Sequence, residues 1–368
     1  MSPQVVASEP ALTPVQRRVA ILIVSYEQPE LLRDCLRSVL ASVAGIAAFK
    51  AQICVVDNAS NGIDVPRFQA EFPTVEFLKL AENRGFAGGN NAGWEHLAAS
   101  DSPPDYLALL NPDTLVSPDW LTLLVDRLES APEVAAAQPA ILLHPETDRI
   151  NTLGNDCHYL GFGLMRGYQE SAATIPSHPC EIPSASGAAV LLRARVLREV
   201  GLFDERYFLY LEDTELGWKL RLAGYRIELV PLSRIYHRYV FQAPHRRYGY
   251  LERNRWWLLT AYYRWPTLLL LSPMLLAMEC GQWGFAVQHG LVRQRLWAMR
   301  QLGNPRSWGA QAAARRHVQA LRKVTDYELT RTFTATFSRT LLPGAVVQRL
   351  ANPLLAGCWC IARRCLWW

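Results

Sequence analysis

Short apolar runs alternate with segments of helical spacing along the first 130 residues. The runs of strand length are Arg18–Tyr26, Ile53–Val56, Val75–Leu80 and Asp105–Leu110. Helical patterns begin at Pro29, near Phe86 and near Pro118. A proline suits the first turn of a helix, where its missing N–H would be unpaired anyway. Strands that alternate with helices predict an α/β fold, with a mostly parallel sheet flanked by helices on both faces.

Each predicted strand ends in a polar cluster. The clusters are Ser25-Tyr26-Glu27, Asp57-Asn58, Asn83-Arg84 and Asp113. Ligands of such sheets bind beyond the carboxyl ends of the strands, so these residues are candidates for a shared site. The alternative is that loops are polar for no functional reason. Asp or Asn recurs at the point where an apolar strand changes to polar residues, and this recurrence favours a functional site.

The pattern becomes less regular after Ala131. The predicted elements here are a strand at Ser184–Leu192, helices at Arg193–Val200 and Glu212–Ala223, and a strand at Tyr225–Pro231 followed by Ile235-Tyr236-His237. Gly201 and Gly224 follow the two helices, as expected of residues that end a helix. The chain therefore continues the α/β pattern to about residue 240.

Asp113 is a candidate metal ligand. It follows an apolar strand and the turn Asn111-Pro112, so its carboxylate is expected at the sheet edge. Mg²⁺ or Mn²⁺ binds through one or two carboxylates plus phosphate oxygens, and would neutralise charge on a departing diphosphate. His237 follows a strand and is a further candidate ligand. The alternatives are a turn-capping role for Asp113 and a structural role for His237.

Three acids, Glu212, Asp213 and Glu215, crowd into four residues of the segment LYLEDTELGWK. Aromatic residues precede them, and carboxylates near apolar surface have raised pKa values that suit proton abstraction. The alternative is an acidic helix N-terminus stabilised by the helix dipole. That alternative leaves the aromatic cluster unexplained, so we favour a catalytic role.

The glycines of ENRGFAGGNNAGW allow close approach of backbone to a phosphate or sugar. Their spacing is not the dinucleotide pattern G-x-G-x-x-G, and the sequence has no P-loop lysine motif. Hydride transfer and nucleoside triphosphate hydrolysis are therefore disfavoured.

Six ordered segments of the sequence resemble those of inverting family 2 glycosyltransferases, whose GT-A fold has a Rossmann-like, mostly parallel sheet. The segments are ILIVSYEQPELLRDCLRSVL, VVDNAS, ENRGFAGGNNAG, LLNPDT, SGAAVLLRARVLREVGLFDERYFLYLEDTELGWKLRLAGY and IYHR. The resemblance covers roughly residues 18–240 and looks closest to bacterial rhamnosyltransferase-like members, which build cell-surface glycans.

The resemblance implies roles for the polar strand ends. Asp57 would contact the nucleotide base, with Ser25, Tyr26 and Glu27 beside it. Asn83, Arg84 and Gly85 would lie along the nucleoside diphosphate and sugar. Asp113 would be the last acid of a D-x-D-type motif and would hold Mg²⁺ or Mn²⁺ together with His237. The donor side of that motif also includes Asn111, which stands where many relatives have Asp and leaves one carboxylate fewer for the metal.

The resemblance also implies the reaction. Asp213, beside Glu212, matches the general base, and Glu215 stands where relatives often have Asp and is expected to orient a neighbour. A sugar, with rhamnose favoured, would move from a dTDP- or UDP-linked donor to a glycan or lipid-linked acceptor with inversion. The alternatives are a galactofuranosyl, mannosyl, glucosyl or N-acetylglucosaminyl donor, or a catalytically silent membrane-associated scaffold, which Asn111 and Glu215 leave open.

Charge divides the chain unevenly. Residues 245–368 carry 18 Lys or Arg against 4 Asp or Glu, whereas the first 244 carry 20 against 29. The charge-free run Trp265–Met278 has 14 residues, shorter than the about 20 that span a bilayer. Flanking Arg and Trp residues favour a segment lying in a membrane surface. Core helices of a small subdomain are the alternative, and nucleic acid is not an expected partner because no recognition module precedes the tail.

These patterns predict a three-part organisation. Residues 1–17 form a flexible leader without the apolar run of a signal peptide, 18–244 the GT-A domain, and 245–368 a basic, helical, membrane-associating extension. Cys35 and Cys54 fall in apolar patterns, and the eight cysteines show no disulfide or zinc spacing. We expect a cytoplasmic protein, peripheral on the inner face of the membrane. A homodimer is left open.

Overall fold

The computed structural model describes residues 16–239, 244–340, 342 and 344–368, so nearly all of the predicted leader lies outside the described residues. The strands are β1 (Arg17–Ser25), β2 (Phe49–Asp57), β3 (Val75–Lys79), β4 (Tyr106–Leu110), β5 (Thr114–Val116), β6 (Val134–Leu143), β7 (Ile150–Thr152), β8 (Asn155–Cys157), β9 (Gly163–Met165), β10 (Cys180–Glu181), β11 (Ala189–Arg193) and β12 (Arg226–His237). The helices are α1 (Pro29–Val43), α2 (Val65–Glu71), α3 (Gly85–Ala98), α4 (Trp120–Ser130), α5 (Ala194–Val200), α6 (Glu212–Leu222), α7 (Pro244–Tyr262), α8 (Trp265–Gln288), α9 (Val292–Gly303), α10 (Pro305–Ala320), α11 (Asp326–Leu329) and α12 (Asn352–Arg364).

The main sheet runs in the order β10-β12-β6-β11-β4-β1-β2-β3, with β5 added to β12 and β7 to β6. Its longest ladders, β1 with β2 and β6 with β12, are parallel. β11 is antiparallel to both β4 and β6. β6 and β12 therefore point the same way as β4, β1 and β2. The carboxyl ends of these five strands lie at one edge of the sheet.

Helices cover both faces of the sheet, which explains why the strands are apolar without interruption. On β1, Ile21 and Ile23 face the core beneath α1 and α4, whereas Ala20 and Leu22 face the core beneath α3, α5 and α6. Cys35 and Cys54 are buried, one in each core. The predicted mixed α/β fold with a sheet flanked by helices is confirmed.

Two predicted strands have different limits in the structure. In the segment predicted as a strand at Ser184–Leu192, the strand begins only at Ala189, because the preceding residues turn toward α6, where Ser184 Oγ donates to the Asp213 carbonyl at 2.8 Å. Tyr225–Pro231 and Ile235–His237 form one strand, β12, whose register shifts between Val230 and Arg234. Pro231 lies in that irregularity and has no N–H for the ladder.

The C-terminal helices form a third core against the α/β part. Leu258, Leu259 and Tyr262 of α7 pack with Trp218 and Leu222 of α6 in this core. Helical structure in the C-terminal region is thus confirmed. The predicted division at residue 244 remains a prediction, and the two sides of it share this apolar interface.

The charge-free run Trp265–Met278 is the first part of a longer helix, because α8 continues past Glu279 to a length of 24 residues. Within the described part of the chain, α8 is the one helix whose length and composition would suffice to cross a membrane, and little of it is buried. Pro273 lies on its exposed side. Glu279 accepts hydrogen bonds from Arg255 and Arg295, so a charge that would end an apolar run is neutralised within the protein.

Candidate functional site

Three neighbouring strands end in buried polar atoms that have no hydrogen-bond partner within the described structure. The atoms are Ser25 Oγ at the end of β1, Asp57 Oδ2 at the end of β2 and Asn111 Oδ1 after β4. A buried polar atom without a partner costs about 1–3 kcal/mol. Three at one sheet edge indicate a place where a ligand completes the hydrogen bonding.

An asparagine network shapes the backbone beside these atoms. Asn58 donates from Nδ2 to Asn83 Oδ1 at 3.1 Å and to the Gly85 carbonyl at 3.0 Å, and it accepts from the Arg84 N–H at 2.9 Å. Gly85 has φ +70°, and a side chain there would collide with Phe208. The structure thus brings Asn83, Arg84 and Gly85 next to Asp57 at the start of α3.

Three other predicted donor contacts have protein partners or lie outward. The Glu27 carboxylate accepts from the backbone N–H groups of Asn61 and Gly62 at 2.8 and 2.9 Å, and these bonds lower its pKa. The Arg84 guanidinium donates to both carboxylate oxygens of Glu205, at 2.8 and 2.9 Å. Tyr26 is exposed. Glu27 and Arg84 therefore hold the loops around the site.

Asp113 and His237 meet because β5 pairs with the end of β12, which sets Thr114 opposite His237. The His237 Nε2 atom lies 3.1 Å from Asp113 Oδ1, and its Nδ1 atom lies 3.0 Å from Asn151 Oδ1. Asn151 Oδ1 can accept from a protonated Nδ1, and Nε2 then presents a lone pair toward the Asp113 carboxylate, where a cation could bind both atoms. His237 is buried, whereas Asp113 is partly open.

This pair fits a divalent cation that has further ligands from elsewhere. Imidazole and carboxylate are both ligands of Mn²⁺, and Mg²⁺ prefers oxygen. Within the described residues, no group of three or more His, Cys, Asp or Glu side chains is placed to hold a metal. The unsatisfied Asn111 oxygen lies two residues away in the same turn. Asp113 and His237 could hold an ion whose remaining positions take diphosphate oxygens and water.

Asp213 lies at the start of α6 and is bonded at both carboxylate oxygens. Oδ2 accepts from Asn155 Nδ2 at 2.8 Å and from the Gly187 N–H at 3.2 Å, and Oδ1 accepts from the Thr214 N–H at 2.6 Å. Gly187 belongs to the turn before β11, and the carbonyl of the next residue, Ala188, accepts from the Asn111 N–H at 2.9 Å. Asp213 therefore lies at the same sheet edge as the unsatisfied polar atoms.

The two adjacent acids differ in their environment. Burial raises the pKa of Glu212 to about 8, with the nearby Asp213 charge adding to the effect, and its Oε2 atom has no partner among the described residues. Burial also raises the pKa of Asp213, but hydrogen bonds from Gly187, Thr214 and Asn155 oppose that change. Two close carboxyl groups titrate as a pair. The hydrogen bonds to Asp213 favour its charged form, and no such bonds reach Glu212 Oε2, so we expect the proton of the pair on Glu212.

The loop before α6 is strained. Phe208, Tyr210 and Leu211 have φ values of +61°, +68° and +66°, a region that costs non-glycine residues about 1–3 kcal/mol each. The Phe208 carbonyl accepts from the Phe86 N–H at 2.8 Å. This loop thus joins the start of α3, on the side of Asp57, to the start of α6, with its two acids.

Glu215 faces away from Asp213, toward α7. Its carboxylate accepts from the Tyr262 hydroxyl and pairs with Lys219 Nζ at 3.3 Å, and burial raises its pKa. Its extra methylene relative to Asp therefore leaves the Asp213 contacts untouched.

Sequence reasoning missed two residues that complete the site, Asn151 and Asn155. Asn58 was a candidate as part of the strand-end cluster Asp57-Asn58, but its bonds to Asn83 and Gly85 were not predicted. Asn151 and Asn155 lie in the irregular region after β6, where neither periodicity nor composition distinguishes them. Their roles depend on contacts with residues 86 and 58 positions away.

Several known proteins are similar in sequence. The N-acetylglucosaminyl-diphospho-decaprenol L-rhamnosyltransferase of Mycobacterium tuberculosis is 27% identical over 214 residues, 54% of this chain and 70% of that protein. The O-antigen biosynthesis protein RfbC of Myxococcus xanthus is 27% identical over 259 residues, 67% of this chain and 19% of RfbC. The poly-beta-1,6-N-acetyl-D-glucosamine synthase of Staphylococcus aureus is 24% identical over 217 residues, 58% of this chain and 48% of the synthase. The matched regions are thus less than half of the last two proteins.

A solved structure shares the fold. The crystal structure of GalNAc-T7 with UDP, GalNAc and Mn²⁺ superposes with a TM-score of 0.52 at 15% identity, over 68% of this chain and 48% of that one. At this identity the likeness shows the GT-A type of fold alone. A sequence profile described as "Glycosyltransferase like family 2" matches residues 16–258. Because that match covers well over half of the sequence, the chain belongs to the family 2 glycosyltransferases.

Proposed function

We propose that this protein transfers a sugar from a nucleoside diphosphate to an acceptor hydroxyl in a single displacement that inverts the anomeric carbon. The observation that supports it is the Asp213 carboxylate, which accepts hydrogen bonds from Asn155, Gly187 and Thr214. It lies at the sheet edge that also carries the unsatisfied polar atoms. A base beside an incompletely bonded pocket suits proton removal from an acceptor that attacks a bound donor.

Asp213 takes the proton from the acceptor hydroxyl, whose oxygen forms a bond to the anomeric carbon. The bond from that carbon to the diphosphate oxygen breaks, and the nucleoside diphosphate leaves with the electron pair. Glu212 keeps its own proton, so that no second negative charge lowers the ability of Asp213 to remain ionised beside it. The hydrogen bonds to Asp213 fix the direction in which its free lone pairs point.

The donor would lie along the ends of β1, β2 and β4. Asp57 Oδ2 and Ser25 Oγ need partners that the nucleotide base and ribose can supply. The backbone at Asn83–Gly85, fixed by Asn58, would run beside the diphosphate. A divalent cation held by Asp113 and His237 would neutralise charge on the departing diphosphate.

Similarity to the relatives supports a more specific proposal for the sugar and the acceptor. Rhamnose from a dTDP-linked donor is favoured because a rhamnosyltransferase matches over 70% of its length, and the acceptor would be a glycan or lipid-linked glycan of the cell surface. Galactofuranose, mannose, glucose and N-acetylglucosamine, the last supported by the synthase of Staphylococcus aureus, are the other donors to test.

A panel of nucleotide sugars with Mn²⁺ tests the donor. A ligand at 100 times its Kd stabilises a protein by about 2.7 kcal/mol, so the true donor should raise the melting temperature of the wild type. Asp57→Asn should reduce that rise. Glu129→Gln is the matched control, because Glu129 binds Arg17 and Tyr106 at the opposite sheet edge. Equal shifts for all sugars, or none, would count against this donor site and favour a silent scaffold.

We also propose that the reaction takes place on the cytoplasmic face of the membrane, with α8 and α12 as the contact. Both helices bury one stripe of side chains and expose apolar residues on the other side. The exposed residues are Trp265, Leu269, Leu276 and Val287 of α8, Leu354 and Ile361 of α12, and Trp367. Arg364 is exposed at the end of α12, and anionic lipid would attract it and its neighbour Arg363.

The inner side of α8 supports an orientation along the membrane surface. Glu279 on that side binds Arg255 of α7 and Arg295 of α9, and both arginines are buried. A spanning arrangement would separate these charges or carry them into lipid, which is expensive. An interfacial helix keeps them in the protein and places only its apolar side in the membrane.

Vesicle pelleting tests this orientation. The wild type should pellet with vesicles that contain phosphatidylglycerol and should pellet less with vesicles of pure phosphatidylcholine. The double variant Leu276→Glu/Ile361→Glu should remain in solution with both. Leu232→Glu is the control, because Leu232 is as exposed but lies on β12. Retained pelleting of the double variant, or failure of the wild type to pellet, would contradict the proposal.

A further inference from the structure

The loop 207–211, between the turn Glu205–Tyr207 and α6, has an unusual set of backbone partners. With three residues at positive φ, its carbonyl groups point in directions that regular secondary structure does not satisfy. Several of these carbonyls turn toward α7, in the C-terminal region, and two side chains of α7 meet them. The loop conformation is therefore held from outside the α/β part.

Asn254 of α7 is the centre of this contact. Its Nδ2 atom lies 3.1, 3.0 and 2.7 Å from the carbonyl oxygens of Tyr207, Leu209 and Tyr210, so its two N–H donors are shared among three acceptors. Its Oδ1 atom accepts from Arg253 Nε at 2.9 Å, which fixes which end of the amide faces the loop. Asn254 is fully buried, so these bonds are shielded from solvent.

Arg253 adds a second clamp on the same loop. Its Nη2 atom donates to the carbonyls of Arg206 and Tyr207, each at 3.0 Å, and its guanidinium lies over the Trp257 ring at 4.2 Å. Two consecutive side chains of α7 thus bind the backbone from residue 206 to residue 210.

The loop touches both halves of the site. Glu212 and Asp213 follow it directly, so the direction of the loop at Leu211 sets where α6 begins. On the other side, the Phe208 carbonyl accepts from the N–H groups of Phe86 and Ala87 at 2.8 and 3.4 Å. A change in loop shape would therefore move the base relative to the backbone beside the donor.

We propose that Asn254 is a positioning residue for the transfer reaction. It holds the strained loop in the one conformation that aims Asp213 at the acceptor, and it makes α7 part of the active machinery. This inference rests on the proposed role of Asp213 as the base. It differs from that role because Asn254 acts on backbone carbonyls through the loop.

The test compares Asn254→Ala with Gln319→Ala. Gln319 is a matched control, because its amide also donates to two carbonyls, those of Ala261 and Tyr262 at 2.8 and 2.9 Å, but does not bind the loop. With the donor that the wild type uses best, Asn254→Ala should lower kcat about 10- to 100-fold, the scale expected for a misplacement of about 1 Å. KM for the donor should change little, and Gln319→Ala should retain wild-type kcat.

Calorimetry with UDP and with dTDP in the presence of Mn²⁺ separates misplacement from unfolding. Asn254→Ala should bind nucleotide with the wild-type stoichiometry, so that its lost turnover comes from folded molecules. Wild-type kcat in Asn254→Ala, or an equal loss in Gln319→Ala, would overturn the proposal. If Asn254→Ala does not fold, Asn254→Asp decides, because it keeps the shape and removes the N–H donors; unchanged kcat there overturns it equally.

Hydrogen exchange keeps this test separate from that of the proposed function. Amides of residues 207–215 should exchange faster in Asn254→Ala than in the wild type and in Gln319→Ala. If exchange is faster in Asn254→Ala but the wild type itself turns over no donor, the loop contact is supported and the proposed reaction is wrong. Unchanged exchange with an active wild type would defeat the positioning role alone.

Discussion

The Glu212–Asp213 pair and the Asp113–His237 pair lie at the same edge of the sheet, but they differ in how many hydrogen bonds the protein gives their carboxylates. Asp213 accepts hydrogen bonds from three residues before any substrate arrives. Asp113 is partly open and shares one contact with His237. The first pair is built for one orientation, whereas the second leaves space for more partners.

The difference suggests how the two sites divide the proposed reaction. A base must be aimed before the acceptor binds, because small errors in its position are costly. A cation that bridges to diphosphate oxygens gains its remaining ligands from the donor itself. We therefore expect the base side to tolerate almost no change and the metal side to depend on donor and metal concentration.

Removal of the base should have the largest effect. Asp213→Asn keeps the size of the side chain and removes the proton acceptor, so kcat should fall by about 10²–10⁴-fold while donor binding persists. Release of nucleoside diphosphate measures the rate, and calorimetry measures binding. Glu129→Gln, changed at the other sheet edge, should match the wild type. Full turnover by Asp213→Asn would contradict the role of Asp213 as the base.

Changes on the metal side should have intermediate effects that metal can partly offset. Asp113→Ala should lower kcat/KM by about 100-fold, since a bound cation contributes several kcal/mol to such reactions, and His237→Ala should have a smaller effect. Both should raise the Mn²⁺ concentration that gives half-maximal rate, and a chelator should abolish wild-type turnover. Rates that are independent of Mn²⁺ in the wild type would contradict the assignment.

The smallest effect on rate is expected for Glu212→Gln. Because burial and Asp213 raise the pKa of Glu212 to about 8, the neutral amide mimics its state at pH 7, and kcat there should stay close to that of the wild type. The stability of the two proteins should diverge with pH. A carboxyl group with a raised pKa in the folded state contributes stability at low pH that is lost as the pH rises through that value.

Thermal unfolding at several pH values measures this divergence. The wild type should lose stability relative to Glu212→Gln from about pH 5 to about pH 8, by at most about 1.4 kcal/mol per pH unit. Above that range the difference should level off. A constant difference across the range would show that Glu212 is ionised, like its neighbour, and would remove the distinction between the two acids.

The sequence predicted the sheet edge well because the signals there are local. Strands that are buried on both faces are continuously apolar, and the switch to Asp57 or Asn111 marks where each one ends. The partners of Asp213 could not be predicted in this way. Asn155 is 58 residues from Asp213 in the chain, and its contact depends on how the β8–β9 hairpin folds over α6.

The full length of α8 could not be predicted for a related reason. Glu279 interrupts the apolar run, and the arginines that neutralise it belong to α7 and α9. Asn254 likewise gives no signal in the sequence, because its partners are backbone carbonyls of a loop that is more than 40 residues away. Periodicity identifies which face of a helix is buried, but not which buried polar group holds a distant loop.

We propose that the Glu212–Asp213 pair and the Asp113–His237 pair serve one sugar transfer. The most direct test incubates the wild type with Mn²⁺, a lipid-linked glycan acceptor and each of several nucleotide sugars, dTDP-rhamnose among them, and follows both products. We predict that one donor yields free nucleoside diphosphate and an equal amount of a new glycoside whose anomeric configuration is inverted. A product with retained configuration, or no release from any donor, would contradict the claim.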